Sequence, residues 1–333
     1  MKTSVATIQQ NDKSGAVGGA KSIDEVLAGL LAPTKRLPCK LLYDARGAEL
    51  FEQICMLDAY YPTRTEVALL EANLPAIAAI VGPDARVIEP GSGEGVKTRL
   101  LLAALDRPAG YVPIDVSAEQ LEHTAVALRA AFPGLDVQPV CGDYTGSLDL
   151  PPAPKTAART LVFFPGSTIG NFEPDSARQF LARLGELAGP GALLLLGADS
   201  NGDREALLRA YDDPEGVTAA FDLNILAHVN RTHAATFDLD GFMHRAVWNA
   251  ARSRVEMHLV SRRAQTVTVG DRRITFARGE AIVTEHCYKH APTALATILA
   301  DAGWQPRDVF SDPDGRMRLW LAEAAPRRGR GTH

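Results

Sequence analysis

The chain has 333 residues, a formal net charge of −5, 46% hydrophobic residues and 23% charged residues. This composition is ordinary for a soluble globular protein, and the length allows two domains or one large elaborated domain. A net negative charge argues against a broad nucleic-acid-binding surface. No apolar run reaches the ~18 residues that cross a bilayer, and the N-terminus lacks the apolar stretch of a secretion signal. We therefore expect neither a nucleic-acid nor a membrane partner.

Cysteine and histidine residues are scattered along the chain. The four cysteines, Cys39, Cys55, Cys141 and Cys287, show no metal-type pairing, and the eight histidines include no His-Glu-x-x-His arrangement. Such cysteines suit the reduced thiols of a cytoplasmic protein better than a disulfide framework. The sequence predicts no metal site.

The first segment, residues 1–20, is small and polar, and we expect a disordered tail there. Ser22 is then expected to be the N-cap of a helix through Leu31. A turn over residues 44–47 leads into another helix. Next, Tyr60-Tyr61-Pro62 predicts an extended corner, with Thr63 or Thr65 as the cap of a helix over residues 66–80. Tyr43, Tyr60 and Tyr61 are equally compatible with a binding site and with core packing.

The strongest pattern lies in residues 87–98. It predicts a short buried strand, a glycine-rich turn and a helix over about 97–105. Gly91, Gly93 and Gly95 give Glu-x-Gly-x-Gly-x-Gly, and glycine allows sharp turns and a close approach of a ligand. A second strand, 110–115, ends in Asp115. In nucleotide-binding α/β units an acid at this place holds ribose hydroxyl groups.

This spacing differs from the dinucleotide fingerprint Gly-x-Gly-x-x-Gly and is typical of S-adenosylmethionine (SAM)-dependent methyltransferases. Because SAM is a sulfonium cation without a pyrophosphate, the carboxylate of Glu89 suits it better than it suits a phosphate. Another nucleotide, or a purely structural turn, remains an alternative.

Two later strands also end in candidate binding residues. Ser117 is expected to cap a helix through Ala131, and a third strand, 136–140, runs into Asp143-Tyr144. A carboxylate and a ring there suit the adenine, although a simple turn would also explain them. A fourth strand, 160–164, precedes a loop that carries Asn171, whose amide offers both a donor and an acceptor. A helix over 174–187 and a fifth strand over 191–199 follow.

The alternation of strands and helices ends after Asp199. Residues 203–232 are predicted to be helical, with an interruption at 211–214. Further strands, one helix and a last strand are then expected at 245–249, 254–260, 265–269, 273–276, 280–289, 293–302 (the helix) and 317–322. We therefore predict an α/β protein with a Rossmann-like SAM-dependent methyltransferase domain and a second, α+β substrate-binding domain. The expected limits are 61–200 with 286–323 for the first and 21–60 with 201–285 for the second, followed by a flexible tail, 324–333.

Several longer motifs resemble the histidine-specific Nα-methyltransferases of ergothioneine biosynthesis. They are Tyr43-Asp-Ala-Arg-Gly-Ala-Glu-Leu-Phe-Glu-Gln-Ile, Tyr60-Tyr-Pro-Thr-Arg-Thr-Glu, Glu89-Pro-Gly-Ser-Gly, Phe164-Pro-Gly-Ser-Thr-Ile-Gly-Asn, Ala210-Tyr-Asp-Asp-Pro-Glu-Gly-Val-Thr and Thr284-Glu. The likeness covers about residues 24–323. It implies SAM-dependent trimethylation of the α-amino group of L-histidine, giving hercynine and S-adenosyl-L-homocysteine. It also implies a small-molecule amino-acid substrate, and we expect a monomer.

The resemblance also implies roles for individual residues. Tyr60 and Asn171, the residues expected to act in catalysis, correspond to contacts with the substrate amine and carboxylate. Tyr211 corresponds to a second carboxylate contact, Glu285 to the acid that pairs with the imidazole, and Tyr43 and Met257 to pocket walls. The positions that match the family's SAM site are Gly91, Lys97, Asp115, Asp143 and Tyr144.

One position departs from the family pattern. Where the family usually has a serine two residues after the glutamate, this chain has Cys287. A thiol is a weaker hydrogen-bond partner than a hydroxyl. An N-methyltransferase for another aromatic amino acid or derivative therefore remains an alternative, as does a non-catalytic SAM-binding subunit.

Overall fold

A computed structural model describes residues 15–93, 95–146 and 148–326. Residues 1–14 of the expected N-terminal tail, and residues 327–333 of the expected C-terminal tail, lie outside this part. Residues 15–20 belong to helix α1 (Gly15–Leu30), so Ser22 lies inside the helix and is not its N-cap.

The chain divides into two compact units. The first contains residues up to 52, 214–247 and 256–285, and the second contains residues 53–213, 248–255 and those from 286 onward. In the described residues the helices after α1 are α2 Ala45–Met56, α3 Tyr61–Val81, α4 Val96–Ala104, α5 Ala118–Ala131, α6 Pro174–Ala188, α7 Arg204–Tyr211, α8 Val217–His233 and α9 Pro292–Asp301. The strands are β1 Ala85–Pro90, β2 Gly110–Asp115, β3 Val140–Cys141, β4 Arg159–Phe164, β5 Leu193–Asp199, β6 Phe242–Asn249, β7 Arg254–Ser261, β8 Gln265–Val269, β9 Arg272–Phe276, β10 Ala281–Tyr288, β11 Trp304–Ser311 and β12 Met317–Ala324.

The second unit is built on a seven-stranded sheet of order β11-β12-β5-β4-β1-β2-β3. Strands β1 to β5 run parallel, whereas β12 is antiparallel to both β5 and β11. The strand order reverses between β1 and β4, and ligands of open α/β sheets bind outside the carboxyl ends of the strands at such a point. The predicted Rossmann-like α/β fold is confirmed.

Both faces of this sheet are buried, which explains its continuous apolar strands. Successive side chains point to opposite faces, so Leu161 and Phe163 of β4 pack in one cluster and Val162 and Phe164 pack in another. The first cluster includes residues of α3, α4 and α5, and the second includes residues of α6 and α9. The carboxyl ends of the strands are therefore held on a rigid layer.

Helix α3 begins at Tyr61, before the predicted start at Glu66. The prediction of an extended corner at Tyr60-Tyr61-Pro62 was wrong for Tyr61 and Pro62. Pro62 occupies the first turn, where a missing N–H costs no hydrogen bond and the fixed φ suits a helix. Tyr60 is the N-cap residue instead of Thr63 or Thr65.

The expected helix cap at Ser117 is confirmed, since its side chain accepts a hydrogen bond from the backbone N–H of Gln120. The third strand is shorter than predicted, because β3 pairs with β2 only through Val140 and Cys141. An isolated bridge joins Val137 to Tyr111.

The first unit contains α1, most of α2, α8 and two small sheets. Strands β8 and β9 form a two-stranded sheet, and the residues of β6, β7 and β10 in this unit belong to a three-stranded sheet of order β10-β7-β6. The segment before α2 joins this sheet, since the N–H of Leu37 donates to the carbonyl of Val283. These strands bring residues near 40 and 285 into one unit.

Candidate functional site

The glycine-rich turn connects the end of β1 to the start of α4. Gly91, Gly93 and Gly95 have φ values of 70°, 49° and 72°, in the left-handed region that favours glycine. A Cβ atom at Gly91 would lie 3.4 Å from Cε1 of Tyr144. Two of the residues predicted to bind the cofactor, Gly91 and Tyr144, therefore lie against each other.

The two predicted acids lie at the ends of the neighbouring strands. Asp115 ends β2, is half-buried, and accepts a hydrogen bond from the N–H of Ser117 at 3.2 Å. Asp143 is exposed, and its Oδ1 accepts from the N–H of Thr145 at 2.9 Å and from the Thr145 hydroxyl at 2.5 Å. Both carboxylates stabilise their own turns through Oδ1.

Tyr144 is packed between rings of the second unit. Its ring centroid lies 6.3 Å from that of Phe164 and 5.8 Å from that of Phe180. This packing fixes the position of the ring beside the glycine turn. The adenine base of a ligand can therefore stack only on the part of the Tyr144 ring that Phe164 and Phe180 do not cover.

Glu89, the acid of the glycine motif, lies near the end of β1. It is 2% exposed, and its Oε2 accepts hydrogen bonds from Thr98 and Tyr111, each at 2.6 Å. Burial raises the pKa of Glu89 to about 7, against the opposing effect of these two hydrogen bonds. One carboxylate oxygen thus braces the turn from the core side. The expectation that Glu89 suits a cationic ligand stays a prediction.

Lys97 forms an ion pair with Glu66, a residue that the sequence did not mark as functional. Glu66 is 1% exposed, and the N–H of Gly166 donates to both of its oxygens at 2.9 and 2.8 Å. One carboxylate therefore links α4 after the glycine turn to the loop after β4. The only sequence signal for it was its position in the Tyr60–Glu66 motif.

Gly197 of β5 provides the space for this carboxylate. A Cβ atom there would lie 1.7 Å from Oε1 of Glu66, which is far inside any allowed contact. The strand cannot shift easily, because Gly197 is paired with Leu319 of β12. Glycine is required here for close approach.

A group of aromatic and polar side chains lies at the same edge of the sheet. The ring of Tyr60 meets that of Tyr211 edge-on with centroids 6.1 Å apart, and the Tyr211 hydroxyl is 2.9 Å from Sγ of Cys287. All three residues are buried, at 8%, 6% and 5% exposure. The second unit thus brings together three residues that are far apart in sequence.

The loop with Asn171 reaches the same group. A short 3-10 turn, Thr168–Asn171, ends at this half-buried amide. A Cβ atom at Gly170 would lie 2.6 Å from the carbonyl oxygen of Tyr288 and 3.5 Å from Sγ of Cys287. The Ser167 hydroxyl also accepts from the N–H of Asp199 at 2.9 Å, so the loop is held to the end of β5.

The remaining predicted residues belong to the first unit. Glu285 in β10 is 7% exposed and Met257 in β7 is 1% exposed. The hydroxyl of Thr284 donates to the carbonyl of Met257 at 3.0 Å, which ties these two strands together. Burial, with the Glu285 carboxylate adding to it, raises the pKa of Cys39 to about 12. Cys39 therefore remains a neutral thiol near this carboxylate.

Tyr43 is 40% exposed and follows a 3-10 turn, Cys39–Leu42. Its ring packs edge-on against Phe51 at 5.6 Å and Phe221 at 5.4 Å. Burial acts to raise the pKa of the adjacent Asp44, but hydrogen bonds from Arg231, Gly47 and Asn224 lower it overall. The segment around Tyr43 is thus fixed on α2 and α8.

Other site types find little support in the described part of the chain. Residues 15–93, 95–146 and 148–326 contain no group of three or more His, Cys, Asp or Glu that could hold a metal ion. Over the same residues, no helix is both long and apolar enough to cross a membrane. All four cysteines are free thiols.

A Rossmann-like sheet with a Glu-x-Gly-x-Gly-x-Gly turn and an acid at the end of its second strand defines a SAM-dependent methyltransferase domain. Residues 22–324 match the family model described as "Histidine-specific methyltransferase, SAM-dependent". The chain belongs to this family, as its motifs indicated.

Individual relatives span nearly the whole chain. The histidine N-alpha-methyltransferase of Mycolicibacterium smegmatis is 44% identical over 303 residues, which cover 90% of this chain and 93% of that protein. The histidine N-alpha-methyltransferase of Mycobacterium tuberculosis is 42% identical with the same coverage, 90% and 93%. A 4-dimethylallyltryptophan N-methyltransferase of Epichloe festucae var. lolii is 29% identical over 317 residues, covering 87% of this chain and 91% of that protein.

Proposed function

We propose that this protein transfers methyl groups from SAM to the α-amino group of L-histidine, forming hercynine for ergothioneine biosynthesis. The observation that carries this proposal is the convergence of Tyr60, Tyr211, Cys287 and the Asn171 loop at the ligand edge of the sheet. The family membership and the names of its similar relatives agree with it.

The second unit serves as the methyltransferase domain in this proposal. Its glycine turn leaves room for a ligand, and Asp115 ends the strand where ribose hydroxyl groups are bound in related folds. Asp143 and Tyr144 would hold the adenine, and Lys97 brings a positive charge that suits the carboxylate of SAM. SAM supplies the methyl group and leaves as S-adenosyl-L-homocysteine.

The amine of the substrate is assigned to Tyr60 and Asn171. An ammonium group has no lone pair, so a proton must leave the nitrogen before each transfer. A phenol oxygen and an amide carbonyl can accept hydrogen bonds from the amine and direct its lone pair. Such orientation can contribute roughly 7–11 kcal/mol to lowering the barrier.

The carboxylate of the substrate is assigned to Tyr211 together with the amide N–H₂ of Asn171. Both are donors, and Tyr211 is fixed by its contacts with Tyr60 and Cys287. Hydrogen bonds to a charged group contribute about 1.5–3 kcal/mol each. The donors suit the group that every α-amino acid carries.

The first unit serves as the substrate-binding domain and selects the side chain. Glu285 would accept a hydrogen bond from an imidazole N–H, with Met257 and Tyr43 as apolar and aromatic walls. A site that hydrogen-bonds the N–H groups of a substrate ring discriminates against an analogue that lacks them, so phenylalanine should react far more slowly than histidine. Cys287 replaces the serine typical of the family and makes the hydrogen bonding weaker at its position.

A direct test incubates the purified protein with SAM and a panel of amino acids and identifies the products by mass spectrometry. Mono-, di- and trimethyl-histidine should appear, and tryptophan and phenylalanine should react far more slowly. Efficient methylation of tryptophan with none of histidine would replace this assignment by the alternative N-methyltransferase. SAM binding without any product would indicate a non-catalytic subunit.

We also propose that the enzyme acts as a cytoplasmic monomer without a metal, a nucleic-acid partner or a membrane partner. Its free thiols and net negative charge support this view. Light scattering of the purified protein tests whether it is a monomer. Activity in the presence of a chelator tests whether the reaction needs a metal.

A further inference from the structure

A buried lysine contacts both the hydroxyl group and the ring of Tyr211. Lys289 follows β10, and its side chain is 1% exposed. Its Nζ donates to the Tyr211 hydroxyl at 2.9 Å and lies 4.7 Å from the centroid of the Tyr211 ring. It also donates to Sγ of Cys287 at 3.4 Å. None of the sequence motifs pointed to this residue.

The charge of Lys289 is balanced by Asp199 at the end of β5. The two form an ion pair at 2.7 Å, and the Asp199 side chain is 0% exposed. Asp199 also accepts from the Tyr61 hydroxyl at 2.6 Å and from the N–H of Asn201 at 2.9 Å. Burial acts to lower the pKa of Lys289, but the Asp199 carboxylate raises it overall, so the ammonium persists. The pair is neutral as a whole and well hydrogen-bonded.

The Lys289 ammonium fixes the direction of its hydrogen bond with Tyr211. A lysine ammonium has only donors, so the Tyr211 oxygen must accept from it. The phenolic proton is then directed away from Lys289, on the side where Sγ of Cys287 lies 2.9 Å from the hydroxyl. A carboxylate is a much stronger acceptor than this sulfur. A hydroxyl that accepts from a cation is also a stronger donor, because linked hydrogen bonds polarise one another. Tyr211 is thereby prepared to bind an anion.

We propose that Lys289 is a positioning residue that acts through Tyr211 on the substrate carboxylate, with Asp199 as its counter-ion. The proposal rests on the function assigned above, and specifically on Tyr211 as a carboxylate contact. In this proposal the buried ion pair strengthens the preference of the enzyme for free α-amino acids over derivatives in which a neutral group replaces the carboxylate.

The test removes both charges together, because a single change would leave a buried ion unpaired. In Lys289→Met/Asp199→Asn the KM for histidine should rise roughly ten- to a hundredfold, while the KM for SAM changes by less than about threefold. As a matched control, Arg307→Met/Glu323→Gln removes an exposed pair of the same unit. It should leave both constants unchanged.

The decisive readout is the preference for a carboxylate. Histidinamide carries a neutral amide in place of that group, and its inhibition constant against histidine methylation can be compared with the KM for histidine. The wild type should bind histidine more tightly than histidinamide. In the double variant most of this preference should be lost, so the two constants should become similar. In a Tyr211→Phe background the same double change should not alter the ratio further.

A ratio that stays at the wild-type value in the double variant would overturn the proposal. If this double variant lacks a cooperative unfolding transition, Lys289→Gln/Asp199→Asn provides the second test, because it also leaves no buried ion unpaired. It keeps a neutral donor beside Tyr211, so it should lower the ratio partly, and an unchanged ratio again refutes the inference. Failure of the proposed function itself is distinct, because the wild type would then not methylate histidine.

Discussion

The close approach of Gly197 to Glu66 predicts a specific defect in Gly197→Ala. The new Cβ would lie 1.7 Å from Oε1 of Glu66, and β5 is held on both sides by neighbouring strands. The carboxylate must therefore move and lose its contacts with Gly166 and Lys97. Overpacking costs about 1–3 kcal/mol, and a lost hydrogen bond to a charged group costs about 1.5–3 kcal/mol. Together these two contributions should lower the free energy of unfolding by about 2.5–6 kcal/mol.

Urea unfolding of four proteins measures this prediction: wild type, Gly197→Ala, Glu66→Ala and the double variant. Because the clash requires the glutamate, Gly197→Ala should cost much less in the Glu66→Ala background, where only the contact with Cα of Pro165 at 3.3 Å remains tight. Gly202→Ala is the matched control, since a Cβ there meets no atom within 4 Å. Equal costs in the two backgrounds would refute the reasoning. Gly197→Ala should also raise the KM for SAM, because Lys97 loses its partner.

Three further predictions concern the cofactor, the side chain of the substrate and pH. Asp115→Ala should weaken SAM binding roughly ten- to a hundredfold, and unchanged affinity in calorimetry would place the ribose elsewhere. Glu285→Ala should reduce the preference for histidine over phenylalanine at least about tenfold with SAM affinity intact, and an unaltered kcat/KM ratio would count against this carboxylate. Burial raises the pKa of Glu89 from 4.5 to about 7, so its contribution to stability is full below pH 4.5 and is lost as pH rises through about 7. Urea unfolding across this range should show a loss of about 3 kcal/mol that Glu89→Gln removes, and the same loss in the variant would implicate another group.

The nucleotide-binding half of the fold could be predicted because local signals and tertiary structure agree there. Strand β1, the glycine turn and α4 follow one another within a short segment, and Ser117 caps α5 as its residue type suggests. Buried parallel strands read as continuous apolar runs, so β4 and β5 were located within about two residues of their limits.

Strand β11, over residues 304–311, was missed for the opposite reason. Its side chains are mostly exposed, and it contains Pro306 beside an irregularity in its pairing with β12. An edge strand tolerates proline and charged residues because one side has no partner in the sheet. The sequence therefore shows neither alternation nor a run of apolar residues, and only pairing with β12 makes this segment a strand.

The ion pairs of the site were also beyond a reading of the sequence. Glu66 and Lys97, or Asp199 and Lys289, are distant along the chain, and charged residues are most often exposed. Glu66 and Lys97 meet where the beginnings of α3 and α4 reach the loop after β4. Asp199 and Lys289 meet where β5 and β10 end. Long motifs could suggest that Tyr60 and Asn171 matter, but not which buried charges hold the residues beside them.

The glycines of the site include one that a sequence motif can identify and two that only the folded structure explains. Gly170 and Gly197 serve the site by lacking a Cβ, which would otherwise clash with Tyr288 or with Glu66. Gly91 is needed because its φ of 70° lies in the left-handed region. Only Gly91 belongs to a pattern that can be identified by its spacing, because a ligand-binding turn uses several glycines in succession. At Gly170 and at Gly197, a residue that is distant in sequence packs directly against the backbone of the glycine. Their requirement for glycine therefore arises from tertiary contacts, and substitutions there should perturb the site although neither residue is expected to touch a ligand.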